Sequence, residues 1–254
     1  MLIATPVCPV GSVPGMSKVA LVTGSSSGIG AEVARRLAAD DYTVVVNSRS
    51  SVAAGQAVAD EVGGTYLQAD VGDEAAARAL VEAVLEQHGA LDVLVNNAGT
   101  TQVIPHGDLK AATPEIWRHL YDVNVIAPFV LVTAAEQALR ATKGCVVNIS
   151  SLAGVKPTGS SIPYAASKAA FNHQTRLLAK ALGPDIRVNA VAPGLVDTLW
   201  TEDWHEIRAL VTAMAPMKRS ATPADVAEIV MGLVRSTYVT GEVIVLDGGL
   251  GLLP

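Results

Sequence analysis

Val19-Ala20-Leu21-Val22-Thr23-Gly24-Ser25-Ser26-Ser27-Gly28-Ile29-Gly30 decides the fold. A short β-forming run passes into a turn with glycines at 24, 28 and 30, and an Ala/Leu-rich stretch with helical spacing follows to Ala39. Glycine permits a tight turn and lets the backbone approach a ligand closely. The helix start beyond it offers free N–H groups and a positive dipole end, which suit a pyrophosphate. The spacing is G-x-x-x-G-x-G rather than G-x-G-x-x-G, and no G-K-[ST] follows, so the turn is not a P-loop.

The same unit repeats outward along the chain. Apolar runs at Thr43–Asn47, Thr65–Ala69, Leu91–Asn96, Cys145–Ser150, Ile186–Ala192 and Glu242–Asp247 are rich in Val and Ile and mostly lack polar alternation. Such strands are buried on both faces, as in a parallel sheet. Between them lie helical stretches at Val52–Val62, Asp73–His88, Pro114–Ala141, Pro163–Leu182 and Pro223–Arg235. Alternating strands and helices predict an α/β fold: a doubly wound, mostly parallel sheet of about seven strands with helices on both faces. One domain is expected from residue 17 to 254, after a loosely packed or disordered tail over 1–16, with Met16 read as the natural start. Leu195–Thr222 breaks the rhythm and is read as a lid, because it begins at a C-terminal strand end, where open α/β sheets bind ligands.

Composition narrows the function. Of 254 residues, half are hydrophobic and 17% charged, enough to fill a core. The net charge of −6, without a basic run, argues against nucleic acid and anionic membranes. No apolar run approaches the roughly 20 residues that span a bilayer, and the opening segment makes a poor signal peptide. Cys8 and Cys145 are too few for a disulfide framework or a cysteine-based zinc site. No metal is expected, and a cytoplasmic setting is.

Thr23–Gly30 resembles the T-G-x-x-x-G-x-G fingerprint of the short-chain dehydrogenase/reductase family, a Rossmann fold. Further motifs stand in the family's order: Asp70-Val71, Asn96-Asn97-Ala98-Gly99, Asn124, Ser150-Ser151, Tyr164-x-x-x-Lys168, Pro193-Gly194 and Asp247-Gly248-Gly249. The resemblance spans roughly Ser17 to Gly251. It implies an enzyme that moves a hydride between a nicotinamide cofactor and a carbonyl or secondary alcohol.

The resemblance also implies the working residues. Tyr164 and Lys168 are four apart on a helix and share a face. Tyr164 would give a proton to a carbonyl oxygen or take one from an alcohol. A free phenol near pKa 10 is a poor base at neutral pH, and an ammonium nearby lowers it. Lys168 would also bond the nicotinamide ribose. Ser151, thirteen positions before Tyr164, would hold the substrate oxygen. Asn124 would support a proton-relay water near the lysine, and Pro128 close behind is expected to bend its helix. Ser151 and Tyr164 are the expected substrate contacts. His106 is the one histidine near the predicted cleft, and a solvated role is the stronger expectation for it.

For the cofactor, Gly24, Ser26, Ser27, Gly28, Ile29 and Gly30 form the phosphate turn. Ser48 stands where NAD-users of the family carry an acid, and Arg49 beside it suits a 2′-phosphate. NADP(H) is therefore preferred, with NAD(H) as the alternative because Ser27 replaces the basic residue many NADP-users carry there. Asp70 and Val71 would hold the adenine; Asn97, Ala98 and Gly99 the ribose; and Pro193, Gly194, Val196 and Thr198 the carboxamide.

The substrate is expected to be a small molecule. Positions that are basic in carrier-protein reductases read Ala141-Thr142-Lys143-Gly144 and Leu182-Gly183-Pro184-Asp185, which favours a free ketone over a 3-oxoacyl carrier protein. An NAD-dependent alcohol dehydrogenase and a non-redox dinucleotide-binding regulator are the other readings. Most of the lid's apolar residues, among them Leu199, Trp200, Leu210 and Met214, are expected to pack on the core. The resemblance implies a homotetramer, or a homodimer, through the apolar helix Ala165–Leu182 or the end Leu250–Pro254.

Overall fold

A computed structural model describes residues 18–252. The tail assigned to 1–16 and the end of the Leu250–Pro254 segment lie outside the described residues. Seven parallel strands form one sheet in the order β3-β2-β1-β4-β5-β6-β7: β1 Val19–Val22, β2 Thr43–Ser48, β3 Thr65–Gln68, β4 Val93–Asn96, β5 Cys145–Ile149, β6 Arg187–Pro193 and β7 Val243–Leu246. The order reverses between β1 and β4, and the crevice at such a switch point is where ligands bind in open α/β sheets.

Successive strand residues feed opposite faces. Ala20, Val22, Val44, Val46, Val93, Val95 and Val147 pack against α1 (Gly28–Ala39), α2 (Val52–Glu61) and α8 (Pro223–Arg235). Val19, Leu21, Val45, Leu94, Val146 and Val188 face α3 (Glu74–His88), α5 (Ala127–Thr142) and α6 (Ile162–Leu182). This two-sided burial explains the unbroken Val/Ile runs.

The helix expected over Pro114–Ala141 is three pieces: α4 (Pro114–Tyr121), a π-turn at Asp122–Ile126, and α5. Pro128 has no N–H to return to the carbonyl of Asn124, four residues back, so a regular α-helix cannot run through this point. The backbone instead closes a wider ring, with the Ala127 N–H on the Asp122 carbonyl. The run Pro114–Thr142 is long and apolar enough to cross a bilayer by length and composition, unlike any single apolar run in the sequence. Its buried residues, among them Leu120, Leu131, Ala135 and Leu139, pack within the domain.

The segment after β6 returns on itself. Val196 and Ala221 form a parallel bridge, the Ala221 N–H donates to the Leu195 carbonyl at 2.9 Å, and the Asp197 N–H donates to the Ala221 carbonyl at 2.8 Å. Between these feet lies α7 (His205–Met214). The expected packing of the segment's apolar residues on the core is not found: Leu199 and Trp200 before α7, and Leu210 and Met214 on it, are exposed, whereas Val196, Val211 and Ala215 are buried. α7 is amphipathic, and its small buried stripe faces the domain while the larger side chains face outward.

Candidate active site

The glycine turn is held from below by three side chains. Thr23 Oγ1 accepts the N–H groups of Asn97 and Ala98, each at 3.1 Å. Asn97 Nδ2 donates to the carbonyls of Thr23 and Gly24 at 2.8 and 2.9 Å. Ser25 Oγ donates to the Val22 carbonyl at 2.6 Å and accepts the Asn47 N–H at 3.0 Å. The turns after β1 and β4 and the C-terminal end of β2 are thereby locked together. Asn97 is thus engaged in the scaffold by both its side-chain amide and its backbone N–H.

Two glycines in the turn are required by the space. Gly24 has φ +61°, and a Cβ there would lie 2.8 Å from Ala98 Cα. At Gly30 a Cβ would sit 2.5 Å from Asn97 Nδ2 and 2.7 Å from the Gly24 carbonyl. Ser27, the N-cap of α1, makes no side-chain cap bond, so the first N–H groups of α1 are left without a side-chain acceptor at Ser27. A glycine cradle below an uncapped helix start fits the pyrophosphate of a dinucleotide. Thr198 reaches over it, its Cγ2 3.2 Å from where a Gly28 Cβ would stand.

At the far end of the crevice, Ser151 lies just after β5, and its Oγ accepts the Ala153 N–H at 3.2 Å. Ser161 caps α6 through the Tyr164 N–H, placing Tyr164 in the first turn and Lys168 one turn on. Lys168 is buried, and its Nζ donates to the Ile149 carbonyl at 3.0 Å and lies 6.0 Å from the Tyr164 ring centroid. Asn124 Oδ1 accepts the Thr100 N–H at 2.9 Å, and its Nδ2 donates to the Thr100 carbonyl at 3.0 Å and Ser167 Oγ at 3.1 Å. Gly99 joins the two ends: a Cβ there would lie 3.3 Å from Asn124 Oδ1 and 3.6 Å from Lys168 Nζ. Ser151, Tyr164, Lys168 and Asn124 therefore converge beside the glycine crevice.

Burial sets the electrostatics. It lowers the Lys168 ammonium from 10.5 to about 8. It also raises the Tyr164 phenol above its usual value, with the Ser151 hydroxyl pulling the other way. The expected lowering of Tyr164 by Lys168 within the chain itself is not found, because desolvation dominates and Lys168 is turned onto the Ile149 carbonyl.

The adenine end is more open. Arg49 and Asp70 are exposed, with Arg49 Nη1 4.0 Å from Asp70 Oδ2. Val71 is buried. Ser48 is buried too, and its hydroxyl bonds the Tyr66 hydroxyl at 2.9 Å. Tyr66 and Asn47 stand outside the site residues expected from the sequence, because their polar contacts cross strands and leave no motif; Thr23 opens the fingerprint, but its bonds to Asn97 and Ala98 are visible only in the fold. His106 is exposed and lines a cavity of about 370 Å³ with Ala153, Gly154 and Lys156.

Residues 24–251 match the family profile described as enoyl-(acyl carrier protein) reductase. The chain is 54% identical over 240 residues to "Granaticin polyketide synthase putative ketoacyl reductase 2" of Streptomyces violaceoruber, covering 92% of this chain and 96% of that one. It belongs to the short-chain dehydrogenase/reductase family. It is also 34% identical to the 3-oxoacyl-acyl-carrier-protein reductase FabG of Staphylococcus aureus, over 92% of this chain and 98% of that one. A solved structure described as a "putative short-chain dehydrogenase/reductase" from Burkholderia xenovorans aligns with TM-score 0.87 at 39% identity, covering 93% and 99%. This short-chain dehydrogenase/reductase is accordingly an NAD(P)-dependent oxidoreductase.

Proposed function

We propose that the chain is an NADP(H)-dependent carbonyl reductase in which Tyr164 is the proton donor. The convergence of Ser151, Tyr164 and Lys168 at one end of the glycine-lined crevice carries this reading. The turn Gly24–Gly30 would hold the pyrophosphate, Arg49 a 2′-phosphate, Asp70 and Val71 the adenine, Ala98 and Gly99 the ribose, and Pro193, Gly194, Val196 and Thr198 the carboxamide. When bound, the cofactor supplies the hydride to the carbonyl carbon.

The chain's own residues supply position and a proton. Ser151 donates to the substrate oxygen and fixes it beside the phenol. Tyr164 transfers its proton to that oxygen as negative charge develops. A phenol held above its usual pKa by burial stays protonated at neutral pH, as an acid in the reductive direction requires. Lys168, charged below pH about 8, then favours the phenolate left behind. Asn124 ties the Gly99–Thr100 turn to α6 and keeps Lys168 opposite the crevice.

A free ketone is the favoured substrate. Lys143 is the lone basic residue at the positions where carrier-protein reductases of the family are basic, and it stands at the start of β5, the opposite end of that strand from Ser151. The names of the two curated relatives support a 3-oxo group within that ketone, and a carrier-bound 3-oxoacyl chain is the second reading. The exposed lid residues Leu199, Trp200 and Leu210 suit an apolar substrate body.

Assembly as a homotetramer, in the cytoplasm, completes the reading. Phe129 on α5 and Leu177 on α6 are exposed and flank a groove of about 480 Å³ with Ala170, His173 and Ala181. A contiguous apolar face of this kind suits a second copy of the same helices. The test of function is NADPH absorbance with a panel of free 3-oxo esters, simple ketones and carrier-bound 3-oxoacyl chains. Consumption with free ketones supports the proposal; consumption confined to carrier-bound chains overturns the substrate, and none with any carbonyl overturns the activity.

A further inference from the structure

The edge strand β3 grips both residues that would face the cofactor's 2′ position. In register, Tyr66 stands opposite Val46 and Gln68 opposite Ser48. Tyr66 shares the sheet face of Ser48 and leans toward it, so that the two hydroxyls meet at 2.9 Å. Gln68 Nε2 donates to the Arg49 carbonyl at 2.9 Å. The Tyr66 ring packs against α2 at Gly55, where a Cβ would clash with ring carbons Cε2 and Cδ2. Glycine at 55 is what makes room for the ring, and the ring in turn delivers its hydroxyl to Ser48.

A phosphate is an acceptor, whereas a ribose hydroxyl both donates and accepts. A bare serine hydroxyl rotates and satisfies either. In a bonded pair of hydroxyls one must donate to the other. The phenol is the more acidic of the two and so the stronger donor, which favours the arrangement in which Tyr66 donates to Ser48 Oγ and the serine proton is left free for another acceptor.

We propose that Tyr66 is a selectivity-determining positioning residue, which acts through Ser48 by orienting the serine O–H toward a 2′-phosphate and so favours NADP(H) over NAD(H). This deepens the cofactor reading above and rests on it. Gln68 holds the Arg49 backbone through its carbonyl, so β3 braces both residues of the 2′ subsite from behind.

The test is a fluorescence titration of NADPH and NADH into the wild-type chain and into Tyr66→Phe, Ser48→Ala and the double variant. Tyr66→Phe should weaken NADPH about five-fold, the scale of one neutral hydrogen bond, and leave NADH within about two-fold. Ser48→Ala, which removes one hydroxyl and spares the ring, should lose the same selectivity, and adding Tyr66→Phe to it should change nothing more. A merely structural tyrosine would weaken both cofactors equally, and that result, or an unchanged NADPH to NADH ratio in Tyr66→Phe or Ser48→Ala, overturns the inference. A wild-type chain without preference for NADPH overturns the cofactor reading itself; a preference that survives the variants overturns this inference alone.

Discussion

Lys168 carries a charge in a place that resists it. Its ammonium is buried, donates to the Ile149 carbonyl, and titrates at about 8 instead of 10.5. Below pH 8 the folded and unfolded chains are both charged at this residue, and the fold bears the desolvation penalty in full. Between 8 and 10.5 the folded chain loses the proton first, the unfolded chain binds more protons, and stability gains with rising pH. At 1.36 kcal/mol per pKa unit the penalty is about 3 kcal/mol. Lys168→Met removes it, so the unfolding free energy of wild type minus variant should rise by about 3 kcal/mol between pH 7 and 10.5, measured by urea titration. A pH-independent difference would show the ammonium is not desolvated. The positions of Ser151, Tyr164 and Lys168 were legible in the sequence because chain order and fixed intervals encode them. The sign of Tyr164's shift was not, because desolvation depends on how much protein surrounds the phenol, and no spacing records that.

Elements place these residues, and α4–α5 does so by being broken. The π-turn at Asp122–Ile126 lets Asn124 bond both backbone groups of Thr100 and reach Ser167 on α6. Pro128→Ala restores the missing N–H and lets the helix regularise, which would rotate Asn124 off Thr100. Turnover should then fall by about 10²-fold, the scale of a small misplacement of a reacting group, while the melting temperature holds or rises. Unchanged turnover would mean the π-turn has no part in the site. The strands, and the helices apart from α7 and the broken α4–α5 run, were readable to within a few residues, because burial on both faces leaves Val-rich runs and capping leaves Ser, Thr and Pro at helix starts. Pro128 announced a bend, yet the wider ring that accommodates it belongs to hydrogen-bond geometry. Tyr66 escaped for a similar reason: its partner Ser48 is a neighbour across strands, and only the sheet register brings them together.

Among the described residues, two apolar surfaces stand open on the molecule. The Phe129–Leu177 groove on α5 and α6 is the face proposed above for another copy of the chain, and the exposed Leu199, Trp200 and Leu210 are those proposed for a substrate body. Leu177→Asp places a charge in the first of these, and if the proposed assembly forms through it, light scattering should then show a species smaller than the wild-type one, with NADPH binding kept. A variant that retains the wild-type mass would move the interface elsewhere. The lid was legible as an insertion because its length breaks the strand–helix rhythm. That its large side chains face outward was not, since an amphipathic helix shows that it has a buried side and leaves open which of its apolar residues are on it.

Tyr164→Phe is the most direct measurement of all, because it removes one oxygen and leaves the crevice in place. With a ketone found to oxidise NADPH, turnover should fall by about 10³-fold or more, at the upper range of general acid–base catalysis, while NADPH binds within a few-fold of wild type. Turnover that survives this substitution would contradict the assignment of Tyr164 as the proton donor.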